Sequence, residues 1–537
     1  MFQWFSRLFN LIKKRHKKSY PELLPGKENR VLSSSLEKNK KVIKGIFNRC
    51  DDLVIREFMI GRKKQVRAMA VFFEPLVNPD LLHHILLHPL MSVEQIPLPE
   101  ITVKWLEENI IPNGKIIEKS RWAEVTYHIT TGLLGLFVEG QPSALLISAL
   151  EKNSRQIDQP TAETVIRGPA DAFNEDLRKN IALLRKRLHT SRLAVEDLEV
   201  GEVTKTAVKL VYLKGYVMEG LAEEIKKRVR RIKVDSILGS GQIEEYIQDS
   251  PYSPFNHLDI TERPDKLTAA LLEGRAALII DNTPFCLIIP TTLTSQFQSP
   301  EDYYNRYWFA SFIRLVRWLA ALASLFLPSL YIAIITFHQE LLPTPLLMSI
   351  LVSREGIPFP ALVEALIMDV IFEVLHEAGV RLPRAFGQAV SIVGAIVLGQ
   401  AAVSAGLASA PMVIIISITA IASFTIPSIP LANTVRILRF PFMFAASSFG
   451  LLGVMALLLL LTFHLCSLRS FGVPYLSPLA PLSFSDLKDA LVRAPAWMML
   501  LRPQQTGYAE PKRQAAGLKP HPPLTREKVV NRGRRNG

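Results

Sequence analysis

The sequence predicts an α/β soluble N-terminal region of two tandem similar subdomains, followed by an all-α polytopic transmembrane bundle. Three observations predict it: a charge split along the chain, an internal repeat in the charged half, and apolar runs of membrane length in the other half. The charged fraction of 21% hides that split, since charge is dense up to Arg317, sparse to Leu468 and dense again in the tail.

Residues 1–35 read as a basic leader. Within residues 1–20, Arg7, Lys13, Lys14, Arg15, Lys17 and Lys18 stand without an acid, while Trp4, Phe5, Leu8, Leu11 and Ile12 follow helical spacing. Arg7 and Lys13 interrupt the apolar residues too early for a signal-peptide core. An amphipathic surface helix and a disordered leader both fit.

The soluble half repeats itself. Leu53–Gly61 aligns with Leu193–Gly201 at an offset of 140, and the same offset carries Val66–Phe73 onto Thr206–Leu213. Short helices around Asn39–Phe47 and Asn180–Leu188 precede these runs, and Leu136–Pro142 matches Leu278–Pro284 at an offset of 142. Each copy reads helix, strand, turn, strand, helix, then a strand pair folded over Glu139-Gly140 or Asp281-Asn282. Two α/β subdomains, 36–155 and 156–300, are the natural division.

Neither copy holds a phosphate loop or a nucleophile elbow, so the chain is not read as an enzyme and no cofactor or metal is expected. His84 and His88 stand four apart beside His83, but Ile85 occupies the place of a zinc-protease Glu and Pro89 comes at once after His88. Cys50, Cys286 and Cys466 are far apart, which gives no disulfide framework. The net charge of +14 is concentrated at the two ends, beside apolar spans, and points to anionic lipid rather than nucleic acid.

A transmembrane domain is expected over 301–480, with spans near 318–337, 387–408, 412–429 and 440–463, before a basic tail at 481–537. Arginines before the first span and the basic tail after the last place both termini in the cytoplasm. Gly387, Ser391, Ala395 and Gly399 recur every four residues and suit close helix packing. The helix expected at 361–379 carries Asp369, Glu373 and Glu377 at i, i+4 and i+8, with His376 beside them and Glu364 to one side. Its residues alone leave two readings: an in-plane amphipathic helix with its acids in water, or a helix lining a cation pore.

Motifs run through both halves: Val165-Ile166-Arg167-Gly168-Pro169, Thr261–Lys266, Ser299–Tyr304, Pro343–Leu347, Arg354-Glu355-Gly356, Gly387–Gly394 and Leu468–Tyr475. This set resembles the GerA family of spore germination proteins, specifically the A subunit of nutrient germinant receptors, over residues 160–495. The resemblance implies the inner membrane of the bacterial spore, a transporter-like B subunit, a lipoprotein C subunit and a nutrient-gated ion channel. It therefore favours the pore reading of Glu364, Asp369, Glu373, His376 and Glu377, in a homo-oligomer of A subunits. A non-conducting scaffold and the stage V sporulation AF-type paralogue are the alternatives. Arg167, Gly168, Pro169, Arg178, Arg185 and Arg187 form a candidate subunit interface, a stiff turn and a basic helix face that could meet an acidic neighbour.

Overall fold

The computed structural model describes residues 30–62, 65–80, 82–83, 87–93, 105, 116–148, 159–381, 399–503 and 510–520. The leader helix, His84, Gly387, Ser391, Ala395 and the end of the tail lie outside the described residues. Two compact units form, one holding the chain to Thr292 together with Leu468–Tyr475, the other Leu293–Ser467 and most of the chain after Leu476.

The first unit contains two five-stranded sheets. In the first copy, α1 (Leu36–Ile46) precedes β1 (Leu53–Ile60), β2 (Val66–Phe73), β3 (Ile116–Lys119), α2 (Trp122–Thr130), β4 (Leu133–Val138) and β5 (Ala144–Ser148). In the second, α3 (Leu177–Arg187) precedes β6 (Leu193–Val200), β7 (Thr206–Leu213), α4 (Leu221–Arg231), α5 (Ser240–Ile247), β8 (Asp259–Thr261), α6 (Pro264–Leu272), β9 (Ala276–Ile280) and β10 (Cys286–Ile289). The strand orders are the same, β1-β2-β4-β5-β3 and β6-β7-β9-β10-β8, and neighbouring strands pair antiparallel.

The repeat holds at the level of register. Leu53 faces Phe73 as Leu193 faces Leu213, and Ala68 faces Val138 as Val208 faces Ile280. Both 140- and 142-residue offsets are thus built into the ladders. The β4–β5 turn holds Gly140 at φ +90°, and the β9–β10 turn holds Asn282 at φ +64°. Glycine and asparagine are the residues that tolerate this left-handed region, so unlike residues satisfy one backbone demand. A buried asparagine ties the entry of α1 and α3 alike. Asn39 accepts from Ser33 N at 3.0 Å and donates to Ser33 O at 2.6 Å; Asn180 does the same with Asn174 at 2.9 and 2.6 Å.

Each sheet is apolar on both faces. Met69, Val71, Phe73 and Phe137 pack with Ile43 and Trp122 of the helices on one face of the first sheet, while Ala70, Phe72, Leu136 and Leu145 pack on the other. The second sheet repeats the arrangement, with α4 and α5 supplying Ile225, Val229, Ile243 and Ile247. This double covering explains why the strands read as continuous apolar runs.

The second unit is helical: α7 (Tyr307–Phe337), α8 (Thr344–Arg354), α9 (Ala361–Arg381), α10 (Gly399–Ser404), α11 (Ala410–Ser423) and α12 (Ile429–Ser467). Among the described residues, α7 and α12 are long and apolar enough to cross a membrane. At 39 residues, a straight α12 would reach about 58 Å, almost twice a hydrocarbon core of about 30 Å. It is not straight. Gly450 leaves the helical region at φ 62°, ψ −142°. A Cβ there would lie 3.0 Å from Phe337 Cβ at the end of α7, and a Cβ on Gly453 would fall 2.2 Å from the Ala445 carbonyl oxygen. Beyond α12 the chain packs on the opposite end of α7, where the Trp497 and Tyr307 rings stand 5.8 Å apart. The helix therefore folds back sharply at Gly450–Gly453, and the apolar run 440–463 straddles a reversal.

Candidate functional site

Helix α9 is built inside out. Ala361, Glu364, Ala365, Met368 and Asp369 are buried, whereas Val363, Val370, Val374 and Val380 are exposed. A helix in water turns its valines inward; this one buries Glu364 and Asp369 and leaves these valines exposed.

Each acid has a basic or polar partner. The Glu364 carboxylate accepts from the backbone N–H of Ser409 at 2.6 Å and from its hydroxyl, at the residue that caps α11, with Arg354 Nε 3.4 Å from the other oxygen. Asp369 pairs with Arg439 of α12, and neither side chain is reached by solvent. Glu373 accepts from Arg436 Nε at 2.9 Å, three residues earlier on α12. Glu377 is exposed and bonds Arg381 at 2.8 Å. His376 lies between the Phe372 and Phe424 rings, at 6.4 and 5.2 Å. The spacing explains the like charges along α9. Asp369 and Glu373, four apart, meet Arg439 and Arg436, three apart, so these two charges are neutralised across the helix pair, while Glu377 is neutralised by Arg381 one turn along its own helix.

The pairs are incompletely satisfied. Glu364 Oε2, Asp369 Oδ2, Arg439 Nε and Arg439 Nη2 are buried without a hydrogen bond. A buried ion pair holds firmly only when its remaining polar atoms find partners, so the Asp369–Arg439 pair is held less firmly than a fully satisfied one. Gly399 opens α10, where a Cβ would touch Val413 at 3.6 Å. Sequence reasoning missed Ser409, Arg436 and Arg439; the signal was a pair of arginines three apart, immediately before an apolar run.

The candidate interface residues lie in the first unit. Arg185 is fully buried, donates to Asp52 at 2.9 and 2.8 Å, and stacks 4.0 Å over Phe73. Arg178 donates to the carbonyls of Glu74 and Val77, both at 3.0 Å. These two arginines thus join the second copy to the first within one chain. Arg187 pairs with Asp171. Arg167 and Gly168 are exposed, while the Pro169 carbonyl accepts from Arg263 at 2.9 Å. Glu262 accepts from the N–H groups of Ala162 and Glu163 at 2.6 and 2.8 Å, so Thr261–Lys266 clasps the segment entering the second copy.

The hairpin Leu468–Tyr475, directly after α12 in sequence, folds into the first unit. Phe471 enters the core of the second sheet, and its N–H donates to the Asp249 carboxylate. Arg228 pairs with Asp249 at 2.7 Å and lies 4.1 Å over the Phe471 ring. The Ser470 hydroxyl donates to His257 O at 2.6 Å and accepts from Thr291 N at 3.1 Å.

Fold and site define a membrane-associated protein in which a duplicated α/β module precedes helices carrying buried ion pairs. Residues 41–505 match the family described as Bacillus/Clostridium GerA spore germination protein, and the chain belongs to that family. It is similar to the uncharacterized membrane protein YfkQ of Bacillus subtilis (strain 168), at 43% identity over 89% of this chain and 93% of that one. Spore germination protein KA of the same organism is 42% identical over 94% of each chain. The crystal structure of the N-terminal domain of the A subunit of the Bacillus megaterium spore germinant receptor GerK3 covers 48% of this chain and 96% of its own, at 32% identity and a TM-score of 0.39.

Proposed function

We propose that the protein is the A subunit of a nutrient germinant receptor in the spore inner membrane, and that several copies form a cation channel held shut by the α9 ion pairs. The observation that carries this reading is the inverted helix: buried Asp369 and Glu364 opposite exposed Val363, Val370 and Val374. Ionisable groups inside an apolar bundle mark ion pathways or gates, and an outward valine face suits lipid or a second copy. Nutrient binding belongs to the transporter-like B subunit, with the lipoprotein C subunit completing the receptor and both termini of this chain in the cytoplasm. Nutrient binding is passed through the α/β module and the Phe471 hairpin to α12. Arg436 and Arg439 then part from Glu373 and Asp369, and the freed carboxylates attract cations. Spores carrying Asp369→Asn with Glu373→Gln test this. Monovalent cation efflux on nutrient addition should fall while protein level holds; unchanged efflux would refute the channel reading.

A further inference from the structure

The segment after the hairpin folds back on itself within the helical unit, Arg513 N–H donating to Leu500 O at 2.9 Å and Gln514 Nε2 to Ala496 O at 2.6 Å. It encloses a cleft of about 370 Å³ whose wall includes Met498, Leu500 and Leu501, with Lys488 and Lys512 among its lining residues. All five of these side chains are exposed.

Its position is fixed by contacts with the start of α7. Besides the Trp497–Tyr307 ring contact, Arg493 N–H donates to Ser311 Oγ at 3.1 Å, and Arg314 donates to Asp489 Oδ1 at 2.8 Å. Tyr303 also donates to Asp489, at 2.8 Å, so the acid nearest Lys488 in sequence is already neutralised. The 31 residues of α7 span about 46 Å, some 16 Å more than a hydrocarbon core. The charge-free stretch begins at Trp318, so the surplus falls in residues 307–317, where Trp308, Phe309 and Phe312 are exposed. Aromatic residues with arginines at one end of an apolar helix mark the headgroup layer.

We propose that this cleft binds the headgroup of an anionic phospholipid from the surrounding bilayer. Lys488 and Lys512 meet the phosphate, and the methionine–leucine wall meets the first carbons of the acyl chains. The proposal rests on the membrane reading of α7 and not on the channel reading. The test uses the full-length protein in nanodiscs of phosphatidylglycerol mixed with phosphatidylcholine, with retained lipid measured by mass spectrometry after purification. Wild type should hold phosphatidylglycerol about tenfold above its share of the disc. Lys488→Gln with Lys512→Gln, and separately Leu501→Glu, should insert equally well and lose that enrichment. Equal retention by the variants would overturn the site, as would the absence of enrichment in wild type. Displacement of the lipid by millimolar inorganic phosphate would assign the lysines to a free anion and overturn the lipid. Failure to enter discs of either composition would instead sink the membrane reading, whereas cation flux can fail with lipid enrichment intact.

Discussion

Arg439→Met leaves the Asp369 carboxylate without its partner, at a position neither side chain shares with solvent. Removing one member of such a pair costs about 3–5 kcal/mol, because a buried charge is stranded. Asp369→Leu strands the guanidinium and should cost a similar amount. The double substitution removes both charges. Since Asp369 Oδ2 and two Arg439 nitrogens already lack partners, the native pair is far from ideal, and the double variant should recover most of the loss. A coupling energy above about 2 kcal/mol is expected from this cycle. For a unit of this size, about 2–4 °C of Tm accompanies each kcal/mol, so each single variant should melt roughly 6–20 °C lower, and the double within a few degrees of wild type. Thermal unfolding of the detergent-purified full chain reads this directly. Additive single effects, or single variants as stable as wild type, would refute the pairing as the element that closes α9 on α12.

Three further outcomes are expected. Arg185→Ala should destabilise the joint between the two sheets by about 3–5 kcal/mol, seen as earlier unfolding and faster proteolysis between the copies, while Lys186→Ala on the exposed side of α3 should change nothing measurable. Asp249→Ala removes the Arg228 pair and the carboxylate that accepts the Phe471 N–H; it should cost about 2–4 kcal/mol after allowance for partial exposure of the ion pair and uncouple nutrient from efflux without lowering protein level. Glu244 is buried, which pushes its carboxyl up to about 7, helped by Asp259 and Glu245 and opposed by the Asn256 hydrogen bond. Its folded form thus binds a proton more tightly than its unfolded form, so its stability contribution is present at low pH and is lost as pH rises from the ordinary carboxylate range to about 7. Glu244→Gln should flatten Tm against pH in that window, and an unchanged slope would remove Glu244 as its source.

Much of the first unit was legible in the sequence because a duplication prints its geometry twice. The ladders reproduce the two offsets, 140 and 142, residue by residue. The basic face of α3 was legible as basic, but not in its direction, because the acid opposite Arg185 is Asp52, 133 residues away. The same limit hid the site. Asp369 and Glu373 announced themselves by their spacing on an apolar helix, yet their arginines lie 70 and 63 residues further on. Only tertiary packing brings the two spacings together. The reversal at Gly450 was equally silent, since apolar residues continue on both sides and hydropathy is blind to direction.

In the proposed channel, separating α9 from α12 opens a cation path. The most direct test joins positions 373 and 436 by a short, reducible bifunctional thiol reagent, using Glu373→Cys with Arg436→Cys in a chain whose exposed Cys466 is replaced by serine. Monovalent cation flux is then recorded from liposomes carrying the assembled receptor as nutrient is added. No flux is expected while the bridge is intact, and after reduction nutrient-dependent flux is expected, lowered by the loss of the Glu373 carboxylate but sustained by Asp369. Equal flux before and after reduction would contradict this gating.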